Sequence, residues 1–325
     1  MKYRVLTTEM WSALLSVIAA VSCICLWFLR KQKGKRKGVS HGCDQSGVVI
    51  KDLAKPKLPL PIRAFNLLGK VFPPKQLTVE GVMMEAQRRT GLKHYLDEDI
   101  YPFRDGLQKL VQDYNDNKNR LTKFGRLCLR NVFVRNVAIN LSIAERIQKN
   151  PQILREQIES PVFIIGPPRT GSSHLHDTLA QHPIFRTPKH LELFNPVLDE
   201  DQYVASEPDP RQAKCDAYLK FASYLRPFLS LLHDVGANTS EEDIFATGIV
   251  FRSVIFGFMF PCKEYMQWFG EVDHRPAYEF LKLVLQVTSD LGAISGLTDV
   301  LYAIVAAVAR CANGTTKEAL AAKVA

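Results

Sequence analysis

No two of the seven cysteines stand as a C-x-x-C pair. Cys23, Cys25, Cys43, Cys128, Cys215, Cys262 and Cys311 are scattered over 325 residues. Zinc ribbons and fingers use such pairs, and a disulfide scaffold uses a dense, even-numbered set, so the pattern speaks against both and leaves the redox compartment open. There is no H-E-x-x-H either. Histidines gather at 174, 176, 182 and 190, but His174 and His176 are two apart in a helical pattern and do not face each other, so no metal is expected. Excess positive charge is scarce outside one flank. Lys2, Arg4, Arg30, Lys31, Lys33, Lys35, Arg36 and Lys37 against Glu9 give residues 1–37 a charge of +7, which leaves +2 of the total +9 for the rest. A fold without a basic groove of its own is not expected to bind nucleic acid.

Residues 1–9 read as a tail. Met10 to Leu29 is an uncharged apolar run with Trp11 and Trp27 near its ends. Its length matches the roughly 20 residues of a membrane-crossing helix and exceeds the roughly 7–15 of a signal-peptide core, so a single-pass anchor is expected. The six cations from Arg30 to Lys37 follow the run, and by the positive-inside rule they place the larger, C-terminal part in the cytosol. Residues 30–76 read as a basic, proline-rich linker in which dense prolines forbid long helices. From Thr78 to Glu159 the pattern is helical: Val79, Val82, Met83 and Ala86, then Leu107, Leu110 and Val111, then Val132, Val137, Leu141 and Ile147 recur at helical intervals.

The stretch Pro161-Val-Phe-Ile-Ile-Gly-Pro-Pro-Arg-Thr-Gly-Ser-Ser173 organises the remainder. Val162 to Ile165 read as a short buried strand. Gly166 and Gly171 bracket a loop, and His174 to Gln181 read as a helix stopped by Pro183. Strand, glycine loop and helix is how α/β proteins hold phosphate: loop N–H groups turn inward and the positive end of the helix faces the anion. The spacing nearly fits G-x-x-x-x-G-K-[ST], except that Ser172 stands where a lysine reaches the outer phosphates of ATP or GTP. Arg169, inside the loop, offers a planar guanidinium suited to an oxyanion. An ATP-using kinase on the same loop is the alternative that Ser172 weakens.

Pro-Arg-Thr-Gly-Ser-Ser after an apolar strand resembles the 5′-phosphosulfate loop of sulfotransferases that use 3′-phosphoadenosine 5′-phosphosulfate (PAPS), in particular the group with Gly-Leu-Pro-Arg-Thr-Gly-Thr-Thr. The likeness begins near Leu77 and includes Arg89-Thr-Gly-Leu92, Leu121-Thr-x-x-Gly-Arg126, Pro161 to Pro183, His233-x-x-Gly-Ala237 and Trp268 to Leu283. The resemblance implies an α/β fold, with a P-loop-like parallel sheet flanked by helices and Val162 to Ile165 central, beside a helical N-terminal region and behind the single N-terminal transmembrane helix. It implies transfer of a sulfuryl group from PAPS, as co-substrate and without a metal, to an acceptor hydroxyl or amine. Pro168, Arg169, Thr170, Gly171, Ser172 and Ser173 would hold the 5′-phosphosulfate. Arg169 would neutralise charge in the transition state, and Glu192, or else His233, would take the acceptor proton. Relatives show Trp-Glu where this chain has Leu191-Glu192, and an aspartate where it has Asn238. The acceptor class stays open between small molecules, carbohydrate, lipid and peptide. By the same analogy the compartment is the Golgi or ER with a lumenal catalytic domain, which opposes the charge rule.

After Gln286 the likeness stops. Relatives continue into Val-Leu-Lys-Ser-Pro and His-Arg-Asp-Pro, the latter resembling the clamp on the PAPS 3′-phosphate, and neither motif occurs here. Residues 77–286 are therefore expected to form an incomplete sulfotransferase domain and 287–325 a divergent tail. The rival function is a non-catalytic, sulfotransferase-like membrane protein lacking the 3′-phosphate site.

Overall fold

The computed structural model describes residues 58–69, 75–116, 121–158, 161–166, 170–198, 209–226, 236–294 and 301–307. The chain divides into two compact units, Met1–Val49 and Ile50–Ala325, and every described residue belongs to the second. The anchor expected at 10–29, the basic cluster, Pro168, Arg169 and His233 lie outside the described residues.

The proline-rich linker carries one short helix, α1 (Leu60–Leu68). Prolines flank its start, where no N–H is needed, so they begin the helix rather than prevent it. Asn66 Oδ1 accepts the Phe124 N–H (2.9 Å), and the Phe65 ring meets Phe124 edge-on, which docks α1 to the helix beginning at Lys123.

The expected helical region is present as α2 (Val79–Thr90), α3 (Arg104–Asn115) and α4 (Lys123–Lys149). Thr78 and Thr122 cap α2 and α4 through their hydroxyls, accepting the N–H groups of Gly81 and Gly125. Val82, Met83 and Ala86 of α2, Leu107, Leu110 and Val111 of α3, and Val137 and Leu141 of α4 are buried as the periodicity requires; Val132 and Ile147 pack at its margin. By length and composition α4 could cross a bilayer, but half of its apolar stretch is buried inside the protein, together with Arg126, Asn136, Asn140 and Arg146. It is the central core helix of this unit, tied at Asn136, whose Nδ2 donates to the Gly248 carbonyl (2.8 Å).

A 3₁₀ turn (Pro151–Arg155) leads to β1 (Val162–Gly166), α5 (Ser172–Leu179), β2 (Phe185–Arg186), α6 (His190–Phe194) and α7 (Pro210–Leu225). Then follow α8 (Ile244–Ile249), α9 (Ile255–Met259), α10 (Lys263–Glu271), α11 (Arg275–Ile294) and β3 (Leu301–Ala307). Helices dominate, and the sheet is small and parallel, in the order β1-β3-β2. This corrects two expectations. The middle strand among the described residues is β3, from the stretch read as a divergent tail, and β1 stands beside it. Nor is β1 buried: Val162 and Ile165 are 37% and 41% exposed. An apolar run declares that a strand suits a sheet interior, but which strand ends up inside is set by pairing with a segment about 140 residues away in sequence. α11 meanwhile runs unbroken through residue 287 to Ile294.

α10 packs on α3 through a cap from outside its own sequence. Asp113 on α3 accepts the N–H groups of Tyr265 (2.8 Å) and Glu264 (3.3 Å), and burial raises its carboxyl above the ordinary value. At the end of α10, His274 lies edge-on to Phe269, between Arg252 and Asp273, and burial holds its pKa below the ordinary 6.5. The unfolded chain therefore binds the proton first as pH falls, and this contribution is complete above about 6.5 and lost as pH drops below it. The urea midpoint should fall between about pH 7.5 and 5.5, and fall less in His274→Phe. Parallel profiles for the two proteins would refute this.

Candidate functional site: the glycine turn and the Glu192 helix

The turn between β1 and α5 opens at the carboxyl edge of the parallel sheet, where α/β proteins place ligands. Gly171 sits at φ 89°, a left-handed conformation costly for any residue with a Cβ, although no atom lies within 4 Å of where that Cβ would be. The demand on Gly171 is thus conformational and not spatial. Gly166 answers a different demand: Thr170 Oγ1 comes within 3.2 Å of where its Cβ would stand, so the two ends of the loop approach each other closely. Leu175 N–H closes the first helical turn on the Gly171 carbonyl (3.0 Å). The N–H groups of Ser172, Ser173 and His174 head α5, where a helix has no internal acceptors for them and its dipole is positive. Thr170 and Gly171 are exposed, and Ser172 and Ser173 are half-buried. Four of the six loop residues singled out in the sequence, Thr170 to Ser173, therefore lie at the start of α5.

Glu192, on α6, is buried, and both its oxygens are engaged. Oε2 accepts the Lys189 N–H (2.9 Å), half of a capping box, and Oε1 accepts Arg186 Nη2 (2.6 Å). Arg186 also donates to the Thr288 carbonyl on α11 (3.2 Å). The strand register sets levels in the sheet: Gly166 pairs opposite Ala307, and Arg186 opposite Tyr302. At about 3.3 Å per residue, Arg186 lies roughly 16 Å from Gly166 along the strand direction. The structure thus joins Glu192 to Arg186 and, through it, to the Thr288 carbonyl of α11.

Two pairs escaped the sequence, Arg186–Glu192 and His190–Glu241. His190 Nδ1 meets Glu241 Oε1 at 2.7 Å with both side chains buried, and His190 packs edge-on to Phe245. Around them the stretch before Glu192 docks on the Gly236-Ala237 stretch: His190 N–H donates to Thr239 O, Leu191 N–H to Ala237 O, and Glu241 N–H to Pro188 O, each at 2.9 Å. These two resemblance-bearing stretches are one structural unit. A pair 51 positions apart leaves no periodic signal, and the Arg186–Glu192 spacing of six matches neither helix nor strand. Among the described residues no three His, Cys, Asp or Glu side chains gather as a metal cluster; His174 is exposed and His176 buried.

The fold is similar to that of two solved sulfotransferases. Sulfotransferase STF1 from Mycobacterium tuberculosis H37Rv superposes with a TM-score of 0.60 at 20% identity, over 71% of this chain and 61% of that one. Sulfotransferase STF9 from Mycobacterium avium gives 0.58 at 25% identity, over 72% and 57%. This chain therefore spans about three-fifths of the length of those solved structures. Residues 161–298, which hold the glycine turn, α6 and α11, match the model of the Sulfotransferase family. This match, over less than half of the chain, and the fold together make the chain similar to sulfotransferases. No curated protein matches the sequence.

Proposed function

We propose that the protein is a membrane-anchored sulfotransferase that moves a sulfuryl group from PAPS to a hydroxyl or amine by in-line displacement. The observation that carries this reading is the Gly166–Gly171 turn at the carboxyl end of β1, heading α5, inside the segment that matches the family. The Pro168–Ser173 loop holds the 5′-phosphosulfate through the N–H groups of Arg169 to Ser173 and the hydroxyls of Thr170, Ser172 and Ser173. The acceptor oxygen or nitrogen forms a bond to sulfur as the bond from sulfur to the bridging phosphate oxygen breaks. Arg169 neutralises charge gathering on that oxygen and on the sulfuryl group. The acceptor proton passes to a carboxylate or imidazole, Glu192 or His233, and 3′-phosphoadenosine 5′-phosphate leaves. PAPS supplies the activated sulfuryl, and no step asks for a metal. Met10 to Leu29 anchors the chain in an endomembrane, and the acceptor is a small molecule, carbohydrate, lipid or peptide.

Glu192 is the base to test first, and its present bonds dictate how. Glu192→Ala would remove the α6 cap and the Arg186 partner along with any base. Glu192→Gln keeps an oxygen for the Lys189 N–H and cannot take a proton. Under this proposal kcat falls on the order of 10²–10⁴-fold in Glu192→Gln, while the lost Arg186 ion pair lowers the thermal midpoint without unfolding the protein at assay temperature. Unchanged kcat would make Glu192 a structural cap and pass the role to His233.

A second reading has a specific observation behind it. Val162 and Ile165 of β1 and Leu175 of α5 are exposed apolar residues around the turn, as on a sheet that awaits further cover. A non-catalytic, membrane-tethered relative would show this. Calorimetry of the full chain in detergent with 3′-phosphoadenosine 5′-phosphate separates the two readings. Micromolar binding supports the enzyme, and a folded protein that does not bind supports the non-catalytic form.

A further inference from the structure

Arg135 is a cation in a pocket that no acid lines among the described residues. It projects from α4, half-buried, with its guanidinium 4.7 Å from the centre of the Phe194 ring and 6.0 Å from that of Tyr218. It donates to the neighbouring Asn136 Oδ1 at 3.2 and 3.4 Å, and among the described residues no carboxylate pairs with it. Burial draws its pKa below the ordinary value, yet a guanidinium stays charged at any working pH. Buried charges in proteins are normally paired, because leaving water without a counter-ion is costly and the faces of aromatic rings return only part of that cost. The neighbouring Arg211 shows the usual solution: Asp209 holds it at 2.6 Å, and the carbonyls of Asn195 and Pro196 take its other N–H groups. Arg252, buried elsewhere, has Asp105 at 2.5 Å.

Arg135 opens into a cavity of about 210 Å³ between α4, the end of α6 and the start of α7. Ala138, Ile139 and Phe194 give it apolar walls, and Arg211 and Lys214 line it on the α7 side. Lys214 is exposed and, among the described residues, has no acid partner. Glu192 and Phe194 are two residues apart on α6 and so project to different sides of it. The cavity is therefore separate from the carboxylate held by Arg186.

We infer that this cavity is a second anion site, which takes a small amphiphilic anion: one aromatic ring or short apolar stem bearing a phosphate, sulfate or carboxylate. The anionic head sits between Arg135 and Lys214, and the stem lies against Ile139 and Phe194. Drug-sized ligands occupy about 300–1,000 Å³, so this volume limits the stem to about one ring. The guanidinium fork suits two oxygens of one head group, a geometry that lysine cannot copy.

The test is calorimetry of the full chain in detergent with phenyl phosphate as probe. Phenyl phosphate should bind, and uncharged benzyl alcohol should bind at least about tenfold more weakly. Arg135→Met, which keeps the stem and removes the charge, should weaken phenyl phosphate by about tenfold or more, and Lys214→Met by about threefold. Saturating 3′-phosphoadenosine 5′-phosphate should leave the affinity unchanged, and so should Arg169→Ala, which keeps this outcome distinct from the fate of the glycine turn. Absence of binding, displacement by the nucleotide, or wild-type affinity in Arg135→Met would each overturn the site. Thermal melting checks that Arg135→Met is folded. Should it not fold, wild-type affinity in Lys214→Met, an exposed position, overturns the site on its own.

Discussion

Arg169→Ala is expected to lower kcat for sulfuryl transfer on the order of 10²–10³-fold or more, with the thermal midpoint unchanged. The expectation rests on what a PAPS reaction asks of this loop. Negative charge builds on the bridging oxygen as the bond to sulfur breaks, and no lysine stands at position 172 to meet it. Amides at the head of α5 can orient the phosphosulfate, but they carry only partial charge. Arg169 is the full charge nearest in sequence, and its fork can engage two oxygens at once. Arg169→Lys should therefore recover only part of the loss, because it restores charge without the bidentate geometry. Single-turnover assays with PAPS would separate this from weaker binding. A mutant that binds 3′-phosphoadenosine 5′-phosphate normally but does not turn over is the expected phenotype, and retained turnover in Arg169→Ala would remove the loop from the mechanism.

Gly106→Ala should be the most damaging of the small core changes. Gly106 lies in the first turn of α3, and a Cβ there would stand 2.2 Å from the Phe251 carbonyl oxygen and 3.1 Å from its carbonyl carbon. That backbone cannot retreat. Phe251 is fully buried at φ 56°, unusual for a residue with a side chain, and its ring stacks on Phe256 and meets Phe133 edge-on. Its carbonyl accepts the Tyr265 hydroxyl from the far side (3.1 Å), and Arg252 ties the next residue to Asp105. Overpacking against fixed backbone costs about 3 kcal/mol. For a domain of this size each kcal/mol shifts the melting midpoint by roughly 2–4 °C, so a fall near 10 °C is expected. Gly91→Ala is the control. That glycine has φ 73° but nothing within 4 Å, so only conformational strain of about 1 kcal/mol applies. Equal midpoints for the two variants would show that α3 can move away from Phe251.

What could be read directly from the chain was local. Periodicity placed α2 and α3 and named their buried residues, because a helix face repeats every three to four positions and needs no partner to be recognised. The glycine turn was legible for the same reason: strand, left-handed glycine and helix start lie within a dozen residues, and each has a residue preference. The Pro-Arg-Thr-Gly-Ser-Ser run that carried the resemblance lies within the segment that matches the Sulfotransferase family.

Tertiary structure decided everything that depends on distant pairing. Leu301 to Ala307 became the middle strand between β1 and β2, although its composition resembled a tail, because strand pairing is a property of two segments and a register. Glu192 stood in the sequence only as the candidate base, and the fold gave it Arg186 and the α6 cap. His190 found Glu241 across 51 positions, and Arg135 was left facing aromatic rings and a cavity that no acid lines among the described residues. Sequence by itself determines which residues can form a helix, a turn or an anion cradle, because those preferences are fixed within a few bonds. Which charges meet, which strand is inside and which cavity remains are set only when segments far apart are packed together.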